Sequence, residues 1–168
     1  TLDTKMKKKI IFIMNPISGT ASKAGIPNLI DSTLDKELFE YEIKLTERAG
    51  HASELATEAK NNHADIVVAV GGDGTVNEVA RSLVHSDTAL GILPCGSGNG
   101  LARHLLLPMN LRKSIEVINA CKINDLDYGV INGHPFFCTC GMGFDAFVSM
   151  KFAESGKRGP ISYAENIL

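Results

Sequence analysis

The chain of 168 residues carries 17 Lys and Arg against 19 Asp and Glu, a formal net charge of −2, with 44% apolar and 21% charged residues. That balance suits a soluble globular protein of one domain, or of one domain and part of a second, large enough to bury a real core. It argues against nucleic-acid binding as the main role, which calls for a strongly basic face.

The opening KMKKKIIFIMNP sets lysines ahead of apolar residues as a signal peptide does. Its apolar run, Ile10 to Met14, ends at Asn-Pro and is too short for that purpose. Residues 1–5, ahead of the first methionine Met6, are expected to be an addition to the native start. No stretch approaches the length of a membrane span. Cys95, Cys121, Cys138 and Cys140 lack the spacing of a disulfide framework, so a reducing, cytoplasmic setting is expected. Cys138 and Cys140 have no nearby Cys or His to complete a zinc site, and the thiols read as packed core residues.

Strand and helix patterns then alternate. Ile10–Met14 is a short apolar strand, Gly25–Leu38 a helix, Tyr41–Thr46 a strand and His51–Asn62 a helix rich in Ala and Glu. Asp65–Val70 reads as a strand, Val76–Leu83 as a helix and Ala89–Leu93 as a strand, with helical patterns at 98–106 and 111–121. Continuous Val/Ile strands between helices predict an α/β fold, a parallel sheet covered by helices on both faces. Near Asn124 the pattern changes: Asn132-Gly133 between two apolar runs predicts a hairpin over Tyr128–Phe137. Residues 1–124 are therefore expected to form the α/β domain, and 125–168 the beginning of a second, antiparallel β-sandwich domain.

Three polar loops follow parallel strands, and each holds glycine: MNPISGTA, GGDGTVN and LPCGSGNGLA. In a parallel sheet they share the carboxyl edge, where ligands bind. Gly71, Gly72 and Gly74 would allow positive φ and close approach of backbone N–H groups to a phosphate, and Thr75 with Glu78 reads as a capping box for the next helix. The loop is neither G-x-x-x-x-G-K-[ST] nor G-x-G-x-x-G, so Asp73 would stand beside phosphate without a loop lysine. Two unit charges ~5 Å apart at an effective dielectric of ~20 repel by about 3 kcal/mol, so the loop implies Mg²⁺ between them. A plain strand-to-helix turn explains one such loop. It explains three on one edge less well.

Asn15-Pro16-Ile17-Ser18-Gly19, Gly71-Gly72-Asp73-Gly74-Thr75-Val76-Asn77 and Leu93-Pro-Cys-Gly-Ser-Gly-Asn99 resemble, in order and spacing, the catalytic domain of the diacylglycerol kinase and sphingosine kinase family. DLDYGVINGHPFF resembles the start of that family's second domain. The resemblance implies transfer of the γ-phosphoryl group of ATP, with Mg²⁺, to a lipid hydroxyl in a cleft between an α/β domain and a β-sandwich. It implies that Asn15, Pro16, Ile17, Ser18, Gly19 and Gly71–Asn77 hold the nucleotide, with hydroxyl contacts from Thr46 and Ser97. Asp73 would join a water and Mg²⁺ network at the γ-phosphate. The general base and structural metal ligands would come from beyond Leu168, so this segment by itself is expected to be inactive. The implied partners are a lipid substrate and, peripherally, a membrane; an unclosed sandwich edge would favour a homo-oligomer. Many members of the family carry Asp after the Asn of the third motif, where this chain has Gly100. An NAD kinase-like enzyme and a non-catalytic nucleotide-binding regulatory module are the alternatives.

Lesser candidates take plainer roles. His51 is expected to cap or edge its helix, Arg103 and His104 to lie on a solvated helix face, and Leu105–Leu107 to pack in the core rather than line an acyl channel. Lys5 and Lys7–Lys9 read as a solvated strand entrance.

Overall fold

A computed structural model describes residues 6–16 and 23–138. In chain order the elements are β1 (Lys8–Met14), α1 (Ile26–Thr33), β2 (Phe39–Leu45), α2 (His51–Asn61), β3 (Ile66–Gly71), α3 (Asp73–Leu83), β4 (Ala89–Pro94), α4 (Gly100–His104), α5 (Leu111–Asn119), β5 (Gly129–Ile131) and β6 (His134–Phe136). The first four strands form one parallel sheet in the order β2-β1-β3-β4; β5 and β6 pair antiparallel in a separate two-stranded sheet.

Strands β1 and β3 are apolar at every central position because both their faces are covered. Ile10, Phe12, Met14, Ile66, Val68 and Val70 pack with Ile26 and Ile30 of α1 and Ile115 and Ile118 of α5. The alternate residues, Ile11, Ile13, Val67 and Ala69, meet Ala52, Ala56 and Ala59 of α2, Val76 and Val79 of α3, and Leu101 of α4. The period of two thus sorts one continuous run onto two helical layers. Edge strand β2 alternates exposed and covered residues instead.

Helix α1 stops at Thr33, five residues before the expected Leu38. Asn119, at the end of α5, accepts from the Asp35 N–H at 2.9 Å and donates to the Thr33 carbonyl at 2.8 Å. That side chain takes over the backbone groups which would have continued the helix. The hairpin turn matches its sequence signal: Asn132 and Gly133 have φ of 49° and 79°, as a two-residue turn with the right twist requires. The hairpin leans on α3, where the Arg81 Nε donates to the Pro135 carbonyl at 3.1 Å.

Candidate active site

The chain leaves β1 toward β2 on one side, whereas β3 lies on the other. A crevice therefore opens at the carboxyl ends of β1 and β3, the place where open α/β sheets bind ligands. Ladder bonds run on into the loops and fix their starts. The Asn15 N–H donates to the Val70 carbonyl at 3.2 Å, the Thr46 N–H to the Met14 carbonyl at 2.9 Å, and the Cys95 N–H to the Gly71 carbonyl at 2.8 Å. Asn15, Thr46, the Gly71–Asn77 segment and the loop bearing Ser97 are thereby brought to one edge. Ile17, Ser18 and Gly19 lie outside the described residues. Pro16 and Ser97 are exposed, and Thr46 is buried.

The glycines act differently from the expectation of positive φ. The described glycines with positive φ are Gly50 and Gly133, in other turns. Gly71 is glycine because a Cβ there would stand 2.6 Å from the Cβ of buried Thr75. Gly72 and Gly96 press backbone on backbone, so that a Cβ on Gly72 would come within 3.1 Å of the Gly96 Cα. The second and third loops therefore meet where neither can carry a side chain. Gly74 is different. A Cβ there would meet nothing within 4 Å, so space stands open over the first turn of α3.

The expected capping box is absent, because α3 begins at Asp73 rather than at Val76 and Thr75 already lies inside the first turn. Its N-cap is Gly72, which offers no side chain to the N-terminal N–H groups. Glu78 instead accepts from the Gly50 N–H at 3.1 Å and ties α3 to the start of α2.

Asp73 clasps the third loop through backbone N–H groups. Its Oδ2 accepts from the Asn99 N–H at 2.9 Å and its Oδ1 from the Gly100 N–H at 2.6 Å. Gly98 and Gly100 leave room for this approach, since a Cβ on Gly98 would sit 2.6 Å from Oδ2. A carboxylate has about four acceptor positions, so two remain after these bonds. Asn99 itself is buried in the left-handed region (φ 54°) and closes its loop, accepting from the Gly96 N–H at 2.8 Å and donating to the Gly96 carbonyl at 2.7 Å. Arg103 is exposed, as expected, and its Nε donates to the Gly98 carbonyl at 2.8 Å.

Sequence reasoning missed Lys23. It is buried, and its Nζ donates to the Asn15 carbonyl at 2.6 Å. Burial pushes its pKa down, while the nearby Cys95 thiol works the other way; burial likewise pushes the Cys95 thiol up, against the pull of Lys23. The available signal was that Lys23 is the one basic residue between Asn15 and Ile26. His51 follows its plainer expectation, its Nδ1 accepting from the Glu47 N–H at 3.1 Å. Two other expectations are corrected. Cys138 is exposed rather than packed in the core (Cys140 lies outside the described residues), and Leu106 is 90% exposed with Leu105 partly so, leaving only Leu107 against the core.

Polar glycine loops at the carboxyl edge of a helix-covered parallel sheet define an α/β domain of the ligand-binding class. Residues 9–131 match the family described as the diacylglycerol kinase catalytic domain, and the chain belongs to that family. It is 32% identical over 163 residues to a diacylglycerol kinase of Staphylococcus saprophyticus, covering 94% of this chain and 53% of that protein. A diacylglycerol kinase of Staphylococcus aureus is 30% identical over 163 residues, with 94% of this chain and 51% of the relative covered. A crystal structure of a Bacillus anthracis diacylglycerol kinase superposes with a TM-score of 0.65 at 26% identity, over 79% of this chain and 49% of that one. The chain thus spans about half the length of the relatives it matches.

Proposed function

We propose that this chain is the nucleotide-binding half of a kinase that moves the γ-phosphoryl group of ATP to the hydroxyl of a lipid such as diacylglycerol or a sphingoid base. The carrying observation is the open, uncapped start of α3 at Gly74, with Asp73 beside it and two further polar loops at the same sheet edge. Helix N–H groups without side-chain partners suit phosphate oxygens. The hydroxyls of Thr46 and Ser97, which lie at the same sheet edge, would add contacts to the nucleotide, as would Asn15 and Pro16.

The donor set fits magnesium. No cluster of three or more His, Cys, Asp or Glu that could hold a metal ion occurs among the described residues. Mg²⁺ that travels with a nucleotide needs only one or two carboxylates, the phosphates and water, and Asp73 keeps free acceptor positions for that. Asp73 would hold such an ion, which would supply positive charge to offset that of the phosphates.

In the transfer, the bond from the γ-phosphorus to its bridging oxygen breaks as the lipid oxygen bonds to phosphorus. ADP leaves, and the hydroxyl proton passes to a base. This chain's contribution is to bind and orient the phosphates, which is most of what phosphoryl transfer asks of a protein. The base is expected from residues beyond Leu168. The proposed setting is the cytoplasm, with the enzyme working at a membrane surface. No described helix is long and apolar enough to cross a membrane.

Assaying the full-length protein with ATP against diacylglycerol, sphingoid bases and NAD tests the proposal. Mg²⁺-dependent labelling of a lipid is expected. Labelling of NAD alone would make it an NAD kinase-like enzyme, and ATP binding without turnover a regulatory module.

A further inference from the structure

Beyond the nucleotide loops, the turn after α4 is built against its own folding preference. The Leu106 N–H donates to the Arg103 carbonyl at 3.0 Å and the Leu107 N–H to the Ala102 carbonyl at 2.9 Å. This pair of bonds ends a helix with one residue in the left-handed region, a position that glycine fills most readily. Here that residue is Leu106, at φ 56°. The other described non-glycine residues with positive φ are His63, His85, Asn99, Cys121 and Asn132, so Leu106 is the one aliphatic among them. Burial does not repay the choice, since Leu106 is 90% exposed. Leu105 and Met109 beside it are 39% and 37% exposed. A leucine held where glycine is favoured, and pointing its surface at solvent, serves something outside the described fold.

Charge indicates what that is. Residues 96–115 contain Arg103, His104, Arg112 and Lys113, and no Asp or Glu. Of the other exposed apolar residues, Met6, Leu45 and Val117 stand apart, while Ile123, Leu126, Val130 and Ile131 share their stretch with Asp125 and Asp127. That second group suits a protein surface and would be repelled by an anionic one. We propose that Leu105, Leu106 and Met109, flanked by Arg103, Arg112 and Lys113, form the surface by which this protein docks on an anionic lipid bilayer. Leucine at the tip enters the boundary between headgroups and acyl chains while the cations meet lipid phosphates. Helix α4 has five residues and so spans about 8 Å. Because its first residue is held by Asp73, docking at Leu106 sets the bilayer close to the phosphate loops. The choice of a bilayer rests on the lipid-kinase proposal, whereas the test below uses neither ATP nor an acceptor lipid.

The experiment is sedimentation of the full-length protein with vesicles of phosphatidylcholine alone and of phosphatidylcholine with about one-third phosphatidylglycerol, alongside thermal unfolding. Binding to the anionic vesicles that weakens with salt is expected, with little to the neutral ones. Leu106→Asp should lower vesicle partitioning about tenfold or more, and Lys113→Gln about fivefold. Leu106→Gly is the sharper variant. It relieves the left-handed leucine, so Tm should hold or rise while vesicle binding falls as in Leu106→Asp. The proposal is overturned if wild-type protein ignores anionic vesicles, or if Leu106→Asp and Leu106→Gly bind them like wild type. It is equally overturned if both variants lower Tm by several degrees with vesicle binding unchanged, since Leu106 would then be covered by the rest of the protein. A kinase that failed every lipid acceptor yet lost vesicle binding on Leu106→Gly would refute the substrate and keep the surface.

Discussion

At the scale of single residues, Asp73 joins two jobs that sequence alone kept apart. Its carboxylate holds the Asn99 and Gly100 N–H groups, and its remaining acceptor positions are proposed to serve a cation bound with the phosphates. Asp73→Ala should therefore cost about 1–3 kcal/mol of stability and, in the full-length enzyme, about 100-fold or more in turnover. Single-turnover phosphoryl transfer at saturating Mg²⁺-ATP, alongside thermal unfolding, separates the two. Near-normal turnover in the folded variant would leave Asp73 a clasp for the third loop. The glycines divide in the same way. Gly96→Ala drives a methyl group into the Gly72 backbone and should lose about 1–3 kcal/mol. Gly74→Ala enters open space in a helical turn and should fold at least as well as wild type. It should nonetheless weaken ATP binding, measured by calorimetry, because a methyl group would occupy the phosphate approach. Unchanged ATP affinity in Gly74→Ala would move the phosphate site elsewhere.

At the scale of elements, Asn119 joins the end of α1 to α5 through two hydrogen bonds, across 84 and 86 positions of sequence. Asn119→Ala leaves both backbone groups to find water and should lower stability by about 1–2 kcal/mol in urea unfolding. ATP affinity should be unaffected, because neither helix end reaches the phosphate loops. This contact also shows what sequence could reveal. The four core strands, the order of helices and the Asn132-Gly133 turn were legible, since period, β-branched runs and turn chemistry are local signals. The end of α1 was not, because a side chain from α5 sets it. The start of α3 was misplaced for a related reason: its cap is a glycine, and Thr75 and Glu78 imitate a capping box while one is buried and the other binds Gly50. That the polar loops start at one sheet edge was legible. The Asp73–Asn99 contact was not, because only the sheet brings those loops together, and Lys23 was not, because nothing local marks a lysine for burial on the Asn15 carbonyl.

At the scale of the molecule, the 168-residue chain should bind ATP weakly and leave lipids unphosphorylated. The loops proposed to hold the nucleotide follow strands of the parallel sheet, whereas the base is proposed to come from elsewhere in the full-length protein. Ile123, Val130 and Ile131 are exposed around the hairpin, which has no third strand among the described residues, and such an edge with apolar surface favours self-association. Size-exclusion chromatography of this segment should show species larger than a monomer. Robust lipid phosphorylation by the purified segment would place a base inside it, and a clean monomer would count against an open edge.

The backbone contact of Gly72 with Gly96 also bears on how the molecule acquires its pocket in time. Neither loop can take its final shape until β3 and β4 are both seated, and β3 in turn pairs with β1 at Ile10 and Ile66, 56 positions apart. Helices α2 and α3 need no such closure, since their bonds are local. During refolding, helical circular dichroism should therefore recover ahead of nucleotide capture, because distant pairings set the slower step. A nucleotide that binds only the finished pocket then draws the equilibrium after it, by about 2.7 kcal/mol at a hundred times its dissociation constant. On this account ATP is both the phosphoryl donor and a late-acting fastener of the fold, and stopped-flow refolding with and without it would resolve the two phases.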